Sequence, residues 1–147
     1  VSVLNKTKSK VHTLPFIDDL KNEILGKKYS LSLAFVSAPK IRELNKKYRK
    51  KDRATNILSF SLTENSGELV LSLAVIKKET KKFNRNLRQL IGYLVIHGLL
   101  HLKGMQHSSK MEVLENRYDK KYFHRGRYGL RQDARRGGRI RKGRKKS

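Results

Sequence analysis

Residues 84–103 read as a helix that is apolar almost all the way round. On its wheel Leu90, Leu94, His97 and His101 share one face, with Ile91, Val95 and Gly98 beside them. A helix with so little polar surface has to be buried, so the remainder of the fold is expected to pack around it. His97 and His101 stand four residues apart and therefore point the same way. Gly104, a residue able to adopt φ > 0, predicts the helix end and a turn of the chain. That turn would bring His107 back toward the other two. The segment His97-Gly98-Leu99-Leu100-His101-Leu102-Lys103-Gly104-Met105-Gln106-His107 thus carries three of the five histidines at the spacing His-x3-His-x5-His. Three neutral imidazoles leave one position of a tetrahedral zinc open for water, which is the arrangement of a catalytic site. The plainer alternative is a helix-face pair and an unrelated third histidine.

The chain lacks cysteine, which excludes disulfides, thiolate sites and iron–sulfur clusters and leaves histidine and carboxylate as metal ligands. That donor set favours zinc or a similar borderline ion, and the absence of cysteine fits a cytoplasmic protein. No run approaches the ~18 apolar residues of a membrane span, and the first residues show no secretory apolar core. Against 12 acidic residues stand 36 Lys and Arg, a formal net charge of +24. A field of that sign gathers polyanions, so nucleic acid is the expected partner, with no membrane contact.

Charge and glycine also divide the chain. Residues 124–147 hold eleven basic residues against Asp133 alone, five glycines and few apolar side chains. Such a stretch cannot bury enough surface to fold by itself and reads as a disordered basic tail. Residues 1–123, of a length that one core can organise, read as a single domain.

Within 1–123, strand and helix signals alternate. Val1 and Val3 suggest a short strand; Phe16, Ile17, Leu20 and Ile24 recur at helical steps until Gly26. Residues 30–37 alternate as a strand, and Pro39 opens a helix reaching about Tyr48. Residues 55–62 and 68–72 read as two strands joined across Asn65-Ser66-Gly67, an antiparallel hairpin. After the long helix, residues 108–123 form a last one, with Met111, Leu114, Tyr118 and Tyr122 at helical steps. The order βαβαββαα predicts an α+β domain with a mostly parallel sheet, one antiparallel hairpin and the histidine helix at its centre.

Gly98 narrows the chemistry. Zinc proteases of the His-Glu-x-x-His type place their general base directly after the first histidine, where a glycine has no proton acceptor. The histidine segment instead resembles the signature of the YbeY family, metal-dependent endoribonucleases of ribosomal RNA maturation. Residues 43–60 are similar to the same family, from Glu43-Leu44-Asn45 through Tyr48-Arg49-Lys50-Lys51-Asp52-Arg53 to Leu58-Ser59-Phe60. So are Gly67-Glu68-Leu69-Val70-Leu71-Ser72 and Met111-Glu112. The chain departs from the family at Gln106, where an acidic residue is usual before the third histidine, and at Ser61, where proline is common. It also departs in a short stretch between the last strand and the histidine helix, and in the basic tail.

The resemblance implies zinc held by His97, His101 and His107, and a catalytic Arg49 that clamps the scissile phosphate. It implies an RNA precursor of the ribosome as substrate, a role in ribosome quality control, and the ribosome as partner. Arg49, Lys50, Lys51 and Arg53 are the expected RNA contacts, with Lys46 and Lys47 nearby. Without the resemblance, Arg49 is one cation in a basic cluster. Asp52, Glu64 and Glu68 are candidate proton-transfer groups that read more simply as solvated carboxylates; His12 and His124 read as surface residues. Few aromatic residues accompany the cations, so base-specific reading is not expected. The rival function is a ribosome-associated RNA-binding factor whose metal site is structural or vestigial.

Overall fold

The computed structural model describes residues 1–10 and 14–123. Nine elements follow one another: β1 (Ser2–Asn5), α1 (Phe16–Leu25), β2 (Ser30–Phe35), α2 (Ala38–Arg49), β3 (Ile57–Thr63), β4 (Ser66–Leu71), α3 (Leu73–Phe83), α4 (Leu87–Leu102) and α5 (Ser109–Phe123). The sheet order is β1-β2-β4-β3. β1, β2 and β4 run parallel, and β3 returns antiparallel along β4. This is the expected α+β architecture: a mostly parallel sheet with one hairpin.

Alternation along the strands sorts side chains into two layers. Leu31, Leu33, Phe35, Leu69 and Leu71 face a large core shared with α1, α3, α4 and α5. Ala34, Leu58 and Val70 face the other way and meet Ile41 of α2. Along α4, Leu90 through Ile96 are buried, as are Gly98, Leu99 and Leu100. Gly92 lies under the Phe123 ring, where a Cβ would come within 2.1 Å of Cζ.

One helix was not anticipated. α3 occupies residues that carried no helix assignment, and the histidine helix begins at Leu87 instead of residue 84. Lys77, Lys78, Lys81 and Lys82 are exposed and crowd the apolar signal, which rests on Leu73, Ile76 and Phe83. The separation of α3 from α4 lies in two backbone features. Asn84 takes a left-handed conformation at φ 58° and ends α3. Asn86 and Gln89 then form a reciprocal capping box that starts α4.

The buried stripe of α5 also differs from the expected one. Met111, Glu115, Asp119 and Phe123 point inward, while Leu114, Tyr118 and Tyr122 are only partly covered. Two carboxylates therefore sit on the inner face of this helix. The tail at 124–147 lies outside the described residues, as does His12.

Candidate metal centre

α4 ends in a Schellman turn. Gly104, at φ 103°, donates its N–H to the carbonyl of His101 (2.9 Å), and Met105 N–H reaches Leu100 (3.1 Å). The turn reverses the chain and delivers His107 to the end of the helix. The three rings gather with centroids 4.5 Å (His97–His101), 5.0 Å (His97–His107) and 4.7 Å (His101–His107) apart. One ligand nitrogen from each lies within 4.8 Å of the others.

Each helical histidine is oriented through its other nitrogen. His101 Nδ1–H donates to the Met105 carbonyl at 2.9 Å, so the turn that ends the helix also fixes this ring. His97 Nδ1 is hydrogen-bonded to the Glu115 carboxylate on α5. Both rings thus present Nε2, and the two Nε2 atoms stand 3.0 Å apart. Two imidazole lone pairs aimed at one point repel unless a cation lies between them. Ligands at about 2.0–2.1 Å from a tetrahedral zinc are themselves separated by about 3.3 Å, so only small shifts separate this arrangement from a coordinated one. Burial, and then the neighbouring His97, push the His101 pKa below its ordinary value, which keeps the ring neutral and able to ligate. The donor set and its orientation fit a borderline divalent cation.

The three histidines line a cleft of about 500 Å3 together with Arg49, Lys51 and Arg53. Arg49, at the last position of α2, donates from Nη2 to the Ser59 carbonyl of β3 at 3.0 Å. Its guanidinium is thereby held at the sheet edge with further N–H groups to spare. Lys50 is the left-handed cap of α2 and is not among the cleft-lining residues. Asp52 is exposed, is not among the cleft-lining residues, and is engaged by Arg42 at 2.8 Å and Lys46 at 3.9 Å. Glu64 is exposed in the β3–β4 turn, and Glu68 is half-buried in β4. The carboxylate in the cleft wall is Glu79 of α3, which accepts from Asn56 Nδ2 at 2.8 Å.

Gly98 has a packing reason beyond the absence of a base. A Cβ there would lie 2.7 Å from Leu69 Cδ2 and 3.2 Å from Ile57 Cδ1, so this face of α4 rests directly on the sheet. Glu79 and Glu115 were both missed in the sequence. Glu79 was hidden with its helix. For Glu115 a signal exists, because it stands four residues after Met111 and eight before Phe123, within a buried stripe.

The family model described as Endoribonuclease YbeY matches residues 4–122. The chain belongs to the YbeY family. An Endoribonuclease YbeY from Chromobacterium violaceum is 39% identical over 102 residues, which cover 60% of this chain and 61% of that relative. The chain thus spans about three fifths of that relative's length. The Buchnera aphidicola Endoribonuclease YbeY is 35% identical over 122 residues, covering 69% of this chain and 77% of its own. The solution structure of TM1509 from Thermotoga maritima superposes with a TM-score of 0.62 at 27% identity, covering 86% of this chain and 91% of that one. The YbeY match runs from within β1 into the last turn of α5 and so contains the whole histidine cluster and its cleft. Among the described residues no helix is long and apolar enough to cross a membrane.

Proposed function

We propose that this protein is a zinc-dependent endoribonuclease that cuts single-stranded RNA during ribosomal RNA maturation and ribosome quality control, working in the cytoplasm on or near the ribosome. The observation that carries the reading is the convergence of three imidazoles, two of them oriented from behind, in a cleft also lined by Arg49, Lys51 and Arg53. The curated relatives named Endoribonuclease YbeY support it.

His97, His101 and His107 would hold the cation, which when bound supplies a Lewis acid for a phosphoryl oxygen and lowers the pKa of water. Arg49, already steadied by Ser59, binds the non-bridging oxygens of the scissile phosphate and offsets the charge that builds there. Lys51 and Arg53 take the neighbouring phosphates, and Lys50 reaches the strand outside the cleft. Next to Arg49 in sequence, exposed Tyr48 packs edge-on against Phe60, with centroids 5.3 Å apart. This pair offers a ring for an unstacked base and supports a single strand as substrate. His107 is exposed and the cleft reaches all three histidines, which favours a centre open to substrate over a closed structural one.

Zinc content and RNA cleavage measured together test the reading. Wild type should bind one zinc and cut single-stranded RNA, and His101→Ala should lose both. Arg49→Ala should keep its zinc while cleavage falls about 10²–10³-fold, the usual effect of removing one transition-state donor. Cleavage that survives both chelation and His101→Ala would overturn the metal-dependent mechanism, whereas a wild type that binds RNA without cutting it would leave the RNA-binding-factor reading in its place.

A further inference from the structure

We propose that Glu115 is the positioning residue of the metal centre, acting through His97, and that α5 is held in place to present it. The proposal rests on the metal reading of the histidine cluster but not on RNA as the substrate.

Glu115 is 3% exposed, and a carboxylate at that depth has to be compensated by hydrogen bonds or charge. It meets Nδ1 of His97 across the α4–α5 interface. Because a carboxylate only accepts, the contact places a proton on Nδ1 and leaves the Nε2 lone pair facing His101. It also makes the ring a stronger metal ligand through Nε2, since a carboxylate behind Nδ1–H raises the electron density of the imidazole. His101 receives its orientation from a neutral carbonyl. Gln106, beside His107, brings no charge of its own. Glu115 is thus the carboxylate that the structure sets against a site imidazole.

The rest of α5 is arranged to keep it there. One turn further along, Asp119 accepts two hydrogen bonds from Arg85, from Nη1 at 2.8 Å and Nη2 at 2.6 Å. Both partners are buried, and the Arg85 guanidinium lies 4.6 Å from the Tyr93 ring centroid on α4. This bidentate pair ties α5 to the α3–α4 junction and to α4 itself. Rotation of α5 about its axis would break it, and the same rotation would withdraw Glu115 from His97. Met111 and Phe123, at either end of the stripe, set the helix against the core. A purely structural ion pair would explain the burial but not why the partner is an imidazole of the metal cluster.

The test is zinc affinity by competition with a chromophoric chelator, together with the His97 tautomer read by long-range ¹H–¹⁵N correlation on the metal-free protein. Wild type should show His97 protonated on Nδ1. Glu115→Gln keeps an acceptor without the charge; it should retain that tautomer and bind zinc about 10-fold more weakly. Glu115→Ala should lose the tautomer preference and bind about 100-fold more weakly, the upper end of such outer-shell effects. A merely structural role would lower the melting temperature and leave both readouts unmoved. Zinc affinity within twofold of wild type in folded Glu115→Gln would overturn the proposal, even if Glu115→Ala does not fold. A wild type that binds zinc but does not cut RNA would sink the proposed function and leave the Glu115 comparison intact. A wild type that binds no zinc would overturn both.

Discussion

At the scale of single residues, the centre depends on what two small side chains permit. Gly104 supplies the positive φ that lets the chain reverse, and the reversed chain hands back both His107 and the Met105 carbonyl. Gly98 allows α4 to lie against Leu69 and Ile57. Inserting glutamate there would complete the His-Glu-x-x-His pattern on paper only. Its side chain would have to displace buried Leu69 and carry a charge into the helix–sheet contact. Gly98→Glu is expected to lose about 3 kcal/mol or more in stability. Chemical denaturation would read the loss, and a peptidase assay on the refolded variant should stay blank.

At the scale of elements, α5 is the piece whose docking matters most. Its inner face is held by Arg85–Asp119, and its last turn is tied to α1 through Glu23. That carboxylate accepts from Lys121 Nζ at 2.7 Å and from Tyr122 Oη at 2.6 Å. The Lys121 hydrogen bond, and then that of Tyr122, hold the Glu23 pKa below its usual range, while burial and the same carboxylate push the Tyr122 pKa up. A lowered carboxylate pKa stabilises the fold above the unfolded value of about 4.3, and the benefit disappears as pH falls through the lowered native value. The pair is half-exposed, so its worth at neutral pH is about 0.5 kcal/mol. The urea midpoints of wild type and Glu23→Gln should therefore differ slightly at pH 7 and converge in acid. A gap that widened on acidification would reverse the sign assigned here.

At the scale of the whole molecule, the +24 charge governs the encounter with RNA before any residue of the cleft does. The basic segment 124–147 follows directly on α5, which ends at Phe123. We expect it to act as an electrostatic tether. Deleting 124–147 should weaken RNA binding and flatten its dependence on salt, because fewer counterions are released. Zinc content should not change, since the three histidines and both orienting groups lie at or before Glu115. Anisotropy titrations across a salt series would check the first expectation and metal analysis the second. Loss of zinc on truncation would show that the tail belongs to the fold.

Much of the centre was legible because it is local. Four-residue spacing on a helix, a glycine able to take positive φ and a third histidine just past the turn are properties of one short segment. The β3–β4 hairpin was legible from strand alternation and a short link for the same reason, whereas the place of β4 between β2 and β3 was not. Other features depend on partners that no local pattern announces. Arg49 finds the Ser59 carbonyl on another element, and Glu115 meets His97 from eighteen residues away across a helix–helix interface. α3 stayed hidden because its exposed lysines obscure Leu73, Ile76 and Phe83, which become a face only once packed. On α5 nothing local marks the carboxylates at 115 and 119 as buried; their partners His97 and Arg85 stand opposite them only in the folded chain. The sequence by itself determined that three imidazoles could converge in a strongly basic chain. Tertiary packing decided how two of those rings are aimed, since orientation requires a hydrogen-bond partner on the far side of each ring, and for His97 that partner belongs to a different helix.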